Sequence, residues 1–265
     1  DKWFISGGAL LNFNSQFGKE LYPGIDISFF TLKGLTVYSS VNKSLRFPTF
    51  TEMYLNTSTV KADPYLLPEK AVNYEIGIKA YFNWINLTSS IFYKKTTDAI
   101  DKVKRPELST PTMENINKIN MAGIEILTQL NFAQKINNPK IWFQKVNVNY
   151  AFLKSDKNEH GFQSFYTLNF LSHKFGASTF YKLSENIAAS IIYTFKKREG
   201  TYQWDANSTI EAYKAVHLLD TRISYEKKMF KVFIDVNNLL DYQYFEFGFV
   251  EQPGRWISGG VKLSF

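Results

Sequence analysis

The sequence predicts an all-β fold, an antiparallel transmembrane β-barrel wall of about twelve strands in meander order. Three observations carry this. The 265 residues break into segments in which apolar and polar side chains alternate with a period of two, each roughly the ~9–11 residues that a tilted strand needs to cross a bilayer. Counted back from the C-terminus, the connections run long, short, long, short, as the loops and turns of outer-membrane barrels do. Greek-key crossovers of a sandwich would break that rhythm. Finally, aromatic residues make up 17% of the chain, with 24 Phe and 16 Tyr, although no run approaches the ~20 apolar residues of a membrane helix. In a membrane barrel only alternate residues meet lipid, and aromatics ring both interfaces.

Each element follows from the pattern. Trp3 to Asn14 is the first strand, and Ser15 to Glu20 reads as a loop that Pro23 and Gly24 extend. The second strand alternates through Ile25, Ile27 and Phe29 and ends at the turn Thr31–Gly34; Leu35, Val37 and Val41 mark the third. A long connection from Arg46 to Glu69 holds Pro48, Pro64 and Pro68. Strand four then runs from Val72 to Phe82, and strand five starts at Ile85 after Asn83 and Trp84. A loop is expected from Ala99 to Asn117. Ile124 to Phe132 is the sixth strand, Gln134 to Lys140 a turn, and Val146 to Phe152 the seventh. After a polar loop from Ser155 to Thr167, strand eight spans Leu168 to Tyr181 and strand nine begins at Ile187. The connection from Arg198 to Tyr213 is long and polar. Strands ten and eleven centre on Leu219–Tyr225 and Phe230–Val236 and share the turn Glu226–Met229; a loop from Asp241 to Pro253 precedes the last strand, Trp256 to Phe265.

Charge and composition narrow the function classes. The net charge is +7, but the lysines are dispersed and no basic cluster forms, so nucleic acid is not an expected partner. The charge is read as a wet lumen plus contact with anionic lipid. The inward alternation carries Asp26, Glu75, Lys79, Glu125, Asp235 and Lys262, costly in a dry core and ordinary along a hydrated lumen. There is no cysteine, which excludes disulfides and thiolate metal sites. His160, His173 and His217 are not spaced as a metal pair, so no metal and no cofactor are expected. Ser164, Ser172 and His173 lack a third partner and no Gly-x-Ser-x-Gly elbow exists, so no catalytic residue is assigned.

Five stretches, in order, carry a resemblance. Ser44-Leu45-Arg46-Phe47-Pro48 is followed by Asp63-Pro64-Tyr65-Leu66-Leu67-Pro68-Glu69. Glu114-Asn115-Ile116-Asn117 leads to Gly123-Ile124-Glu125, and Asn238-Leu239-Leu240-Asp241 to Tyr244. Gln252-Pro253-Gly254-Arg255 then opens the aromatic terminal strand. Together they resemble the sequence boxes of TonB-dependent outer-membrane receptors, with Asp63 and Leu240 replacing the family's asparagine and phenylalanine. The spacing and the ending look most like the cobalamin-transporter-like branch common in Bacteroidetes.

The resemblance implies about half of a 22-strand barrel, with residues 1–265 forming its C-terminal part and the plug domain absent. The chain opens on Asp1-Lys2-Trp3-Phe4 without a signal peptide and is expected to be part of a longer one, an open half-barrel. The implied function is TonB-dependent uptake of cobalamin or a ferric siderophore across the outer membrane of a Gram-negative bacterium. The alternatives are a haem receptor or a plug-less passive porin or adhesin. Haem receptors of the family place a histidine between the first two boxes, and residues 49–62 contain none. The implied partners are outer-membrane lipid, the small-molecule ligand, and the TonB complex through an N-terminal region not in this chain; a surface lipoprotein is admitted as a further one. Ligand contacts are expected from loop residues able to stack on a flat molecule, namely Tyr54, Tyr65, His160, Tyr202, Trp204 and Phe249. Box residues expected to be structural are Arg46, Pro48, Pro64, Pro68, Glu69, Gly123, Glu125, Asn238, Leu239, Asp241 and Phe265. Arg46 and Glu69 stand at the two feet of one loop, where they could pair.

Overall fold

The computed structural model describes residues 2–156, 161–165, 167–203, 209–246 and 250–264. The wall begins with β1 (Trp3–Asn14), β2 (Gly18–Leu32), β3 (Leu35–Arg46) and β4 (Glu69–Tyr81). It continues through β5 (Ile85–Lys104), β6 (Thr112–Asn131) and β7 (Phe143–Ser155). A two-residue β8 (Gln163–Ser164) stands apart from this order and pairs with β5. Next come β9 (Leu171–Lys182) and β10 (Ile187–Arg198), a small ribbon of β11 (Thr201–Gln203) and β12 (Ile210–Ala212), then β13 (Val216–Lys227), β14 (Phe230–Asn237) and β15 (Trp256–Leu263). Two short helices, α1 (Phe50–Tyr54) and α2 (Phe132–Lys135), lie in connections. Twelve strands form one antiparallel path in chain order, from β1 to β15. The sheet is a partial barrel, because β1 and β15 pair on one side only.

The register explains why the wall suits a bilayer. Ser39, Ile76, Ile91, Ile124 and Phe152 face one another directly across five strands. On this outward alternation large apolar side chains stay exposed, Ile76, Ile91, Ile223 and Ile234 among them. No charge interrupts it in mid-strand, where a lipid-facing lysine or arginine costs about 2–4 kcal/mol. The opposite alternation is polar and paired: Tyr38 donates to Glu75 Oε1 at 2.7 Å, and Arg222 grips Asp235 with two bonds of 2.5 and 2.7 Å.

The twelve-strand expectation holds, with several boundaries corrected. The predicted loop over 15–24 is a tight turn, since β2 already starts at Gly18 and pairs with Asn14. Pro23 and Gly24 lie within the strand. Pairing of β2 with β3 starts at Gly24↔Asn42, so Pro23, which lacks an N–H, sits just beyond the ladder where no donor is needed. The connection rhythm therefore fails at its first member.

The expected loop over 99–117 is mostly strand: β5 and β6 pair as far as Val103↔Thr112, stepping past Asp98, whose φ is 56°. The turn at 134–140 is a longer connection that opens on α2, capped by Asn131. Strand eight starts at Leu171 rather than Leu168. Strand ten starts at Val216, and the connection before it is folded into the β11–β12 ribbon.

The inner face shows a repeated packing device. Tyr38, Phe92 and Phe233 each reach over the glycine directly opposite, Gly77, Gly123 and Gly260. Asn42 and Asn149 do the same over Gly24 and Gly176. A Cβ at Gly123 would stand 2.3 Å from Phe92 Cζ and 2.7 Å from the Phe152 carbonyl oxygen, whereas one at Gly8 would meet nothing within 4 Å. Gly123→Ala is therefore expected to destabilise the wall by about 1–3 kcal/mol, while Gly8→Ala costs no more than a few tenths. Urea unfolding of the full-length protein in lipid vesicles checks this; equal midpoints for the two variants would contradict it.

Candidate functional site

The loop between β3 and β4 is braced at its base by charge. Arg46 Nε donates to Glu69 Oε2 at 2.6 Å, and Arg46 Nη1 donates to both oxygens of Glu52 at 3.0 and 3.1 Å. Glu69 Oε1 accepts the Ile100 N–H at 2.7 Å, tying the loop foot to β5. The pairing of Arg46 with Glu69 matches the expectation from sequence. Glu52 was not singled out there, although Thr49-Phe50-Thr51-Glu52 is a capping-box pattern. Thr49 Oγ1 accepts from the Glu52 N–H at 3.2 Å, and Glu52 Oε2 accepts from the Thr49 N–H at 2.7 Å. Burial alone would raise the Glu52 carboxyl above its ordinary 4.5. The Thr49 N–H and the Arg46 guanidinium outweigh it and hold the group below that value.

Above this base the loop is packed, not loose. Met53 and Leu66 bury against Ile100 and Met113 of β5 and β6, with Phe17 and Val60 at the margin. Asn115 clamps the second box: its Oδ1 accepts the Leu67 N–H at 2.8 Å, and its Nδ2 donates to Leu67 and Asp98 carbonyls at 2.9 and 2.7 Å. Arg105 holds Glu114 in a forked pair at 2.7 and 3.2 Å. Ser164, on β8, donates to the fully buried Asp101. Pro68 lines a cavity of about 280 Å³ beside Tyr22, Glu20 and Lys70.

The last box is a second knot. Asn238 takes φ 49°, accepts the Tyr242 N–H at 2.9 Å and donates to the Tyr242 carbonyl at 2.9 Å. Its own N–H goes to Asp220 at 2.7 Å, and the Leu239 N–H to the Leu219 carbonyl at 2.7 Å. Asp241 Oδ1 accepts the Arg255 N–H at 2.7 Å. Gly123 lies under Phe92, and Glu125 stands inward between Ser90 and Ala151. Pro48 precedes the Thr49 cap, and Pro64 follows Asp63, whose N–H reaches the Glu52 carbonyl at 3.1 Å.

Of the expected ligand contacts, Tyr54 and Tyr65 share the β3–β4 loop. Tyr65 is 85% exposed, and Tyr54 lies 5.9 Å from the more open Phe50, a residue the sequence reading passed over. Tyr202 sits elsewhere, half-buried in a cluster with Tyr213 and Phe245 at 5.0 and 5.5 Å, its hydroxyl donating to Glu211. His160, Trp204, Phe249 and Phe265 lie outside the described residues. His173 is an ordinary strand residue, its Nδ1 2.9 Å from the Tyr150 hydroxyl; Ser172 faces the other side of β9 and donates to the Lys197 carbonyl. The arrangement presents aromatic surface on a braced loop.

Comparison with known proteins agrees with this geometry. A protein-family model described as "TonB dependent receptor-like, beta-barrel" matches residues 1–239. The vitamin B12 transporter BtuB of Vibrio vulnificus (strain YJ016) is 26% identical over 113 residues, which is 43% of this chain and 18% of that protein. The siderophore receptor PirA from Acinetobacter baumannii superposes with a TM-score of 0.75 at 16% identity, covering all of this chain and 44% of that one. The ferric enterobactin receptor PfeA from Pseudomonas aeruginosa gives 0.74 at 14% identity, covering all of this chain and 43% of that one. The chain thus spans less than half the length of these relatives.

The brace makes the loop acid-sensitive. Glu52 has a folded-state pKa below its unfolded one, so its contribution is complete above about 4.5 and is lost as pH falls through the lower folded value. The protection of amides 49–55, which is their exchange rate compared with that of an unstructured peptide at the same pH, should stay high at neutral pH and fall below about pH 4.5. Glu52→Gln should speed that exchange already at pH 7 and flatten the acid response. An acid profile unchanged by the substitution would contradict the assignment.

Proposed function

The chain belongs to the TonB-dependent receptor-like β-barrel family, and from that premise we propose that it forms the C-terminal part of the barrel of an active-uptake receptor in the outer membrane of a Gram-negative bacterium. The observation that carries this reading is the two-faced wall joined to a braced loop. One alternation is fit for lipid and the other is wet and ion-paired, while the rim presents Phe50, Tyr54 and Tyr65 to solvent on a rigid base. The unpaired edges β1 and β15 are the places where about ten further strands complete a barrel of the 22-strand, plugged class. Energy for uptake comes from the TonB complex, acting through an N-terminal region beyond these residues. The long-loop rim faces outward from the cell, and the tight turns face the periplasm.

The cargo is a large, scarce nutrient, cobalamin or a ferric siderophore. The names of the relatives support both classes, one being a vitamin B12 transporter and the others siderophore receptors, and the box spacing inclines the reading to cobalamin. Tyr54 and Tyr65 stack on the ligand, with Tyr202, His160, Trp204 and Phe249 as further contacts from other loops. The box residues hold the loops in place without touching cargo.

Equilibrium binding to the full-length receptor in detergent tests the reading, with cobalamin and a ferric catecholate siderophore as probes. Tight binding of one is expected, weakened about tenfold by Tyr65→Ala, and uptake should stop in a strain without TonB. Failure to bind either ligand, or uptake that persists without TonB, would replace this reading with a passive pore.

A further inference from the structure

Neighbouring strands β5, β6, β7, β9 and β10 each carry one nitrogen base on the outward alternation, just loop-ward of the aromatic layer. These are Lys95, Lys118, Lys154, His173 and Lys197. Their heights follow from the register. The row Ile91, Ile124, Phe152, His173, Lys197 runs straight across the ladders. Lys95 lies four positions loop-ward of Ile91, Lys118 six beyond Ile124, and Lys154 two beyond Phe152. A strand tilt of about 35–45° shifts a level line by roughly one residue per strand. The stagger therefore brings Lys95, Lys154, His173 and Lys197 close to one height, in an arc roughly 20 Å wide, with Lys118 about two to three residues above it. The aromatics descend in parallel, from Tyr93 through Phe175 to Tyr193, and Lys95 Nζ stands 5.7 and 6.0 Å from the Tyr93 and Tyr74 ring centres.

The four lysines are exposed and have no acidic partner among the described residues. On β3 and β4, by contrast, the outward Lys43 and Lys70 both pair with Glu20. Glu199 lies two positions loop-ward of Lys197, while Asp156 stands opposite Asn120, between Lys154 and Lys118 in height, with its carboxylate turned toward the N–H and Nδ2 of Asn120 at 2.8 and 2.5 Å. Aliphatic, aromatic and unneutralised cationic layers thus follow one another up a single face.

We propose that this arc is a docking surface for the phosphate groups of anionic lipid headgroups in the leaflet at the loop rim. The occupant is membrane lipid because the arc continues the lipid-facing band upward, and its charge complements a phosphate layer at headgroup height. The inference rests on the wall spanning a bilayer, and it adds a specific lipid site to that reading.

The test uses full-length receptor, wild type and K95Q/K118Q/K154Q/K197Q, first reconstituted into phosphatidylcholine vesicles and then titrated in neutral detergent with diphosphoryl lipid A. The same lipid stripped of phosphate and a turn-rim control variant, K33Q/K227Q, complete the set, with bound lipid counted by native mass spectrometry. Each surface lysine contributes about fivefold, so the quadruple variant should lose well over tenfold in affinity. The control should match wild type, the phosphate-free lipid should bind weakly to all, and added salt should erase the difference. Equal binding by wild type and the quadruple variant, or equal binding of the phosphate-free lipid, would overturn the proposal even if all proteins insert. Failure of the wild type to insert would instead overturn the bilayer reading on which it rests.

Discussion

The whole wall answers to one requirement: inside hydrocarbon, each backbone N–H and C=O needs a partner from the protein itself. The continuous ladder meets it for every strand between the two open edges, β1 and β15, and the other features adjust to the ladder. Side chains must alternate because the pleat alternates, so one sequence writes two surfaces at once. Departures from regularity lie at the two rims, the register shifts at Phe30–Leu32 and Phe143–Lys145 on the turn side and the others on the loop side. Pro23 sits just past the end of the β2–β3 ladder, and the irregular step at Asp98 lies level with the braced loop, where Asn115 receives it.

That loop shows how a long connection can be firm without being regular. Its 22 residues between β3 and β4 hold one turn of helix, fixed from below by Arg46 and Glu69 and from within by Thr49 and Glu52. The apolar side chains Met53 and Leu66 then bury against the raised ends of β5 and β6. Charges at the foot and an apolar wedge above divide the work. The first fixes direction and the second removes freedom, so the exposed rings of Tyr54 and Tyr65 are carried on ordered backbone.

Much of this was legible in the sequence, for reasons that can be named. Period-two alternation is a local signal, and it placed a stretch of each of the twelve strands. Strand ends depend on partners. β5 and β6 run on past Ala99 because each has the other to pair with and the β3–β4 loop to cover them, neither of which a linear reading sees. Pro23 misled because its rule concerns a missing donor, and whether a donor is needed depends on where the neighbouring strand stops. The Arg46–Glu69 pair was legible because opposite charges stood at the two feet of one loop. Glu52 was overlooked although its capping-box spacing was in plain view. The burial of Asp101 by Ser164 could not be read, since 63 residues separate them.

The glycines of the inner face have a consequence for where charge sits. Tyr38, Phe92 and Phe233 reach across Gly77, Gly123 and Gly260 because no Cβ stands in the way. Lys79 Nζ then stands 4.8 Å from the centre of the Tyr38 ring, and the Arg222 guanidinium 4.6 Å from that of Phe233. The ring quadrupole attracts each cation and holds it down along the wall. The glycines thus help to set how closely this cationic tier follows the inner face.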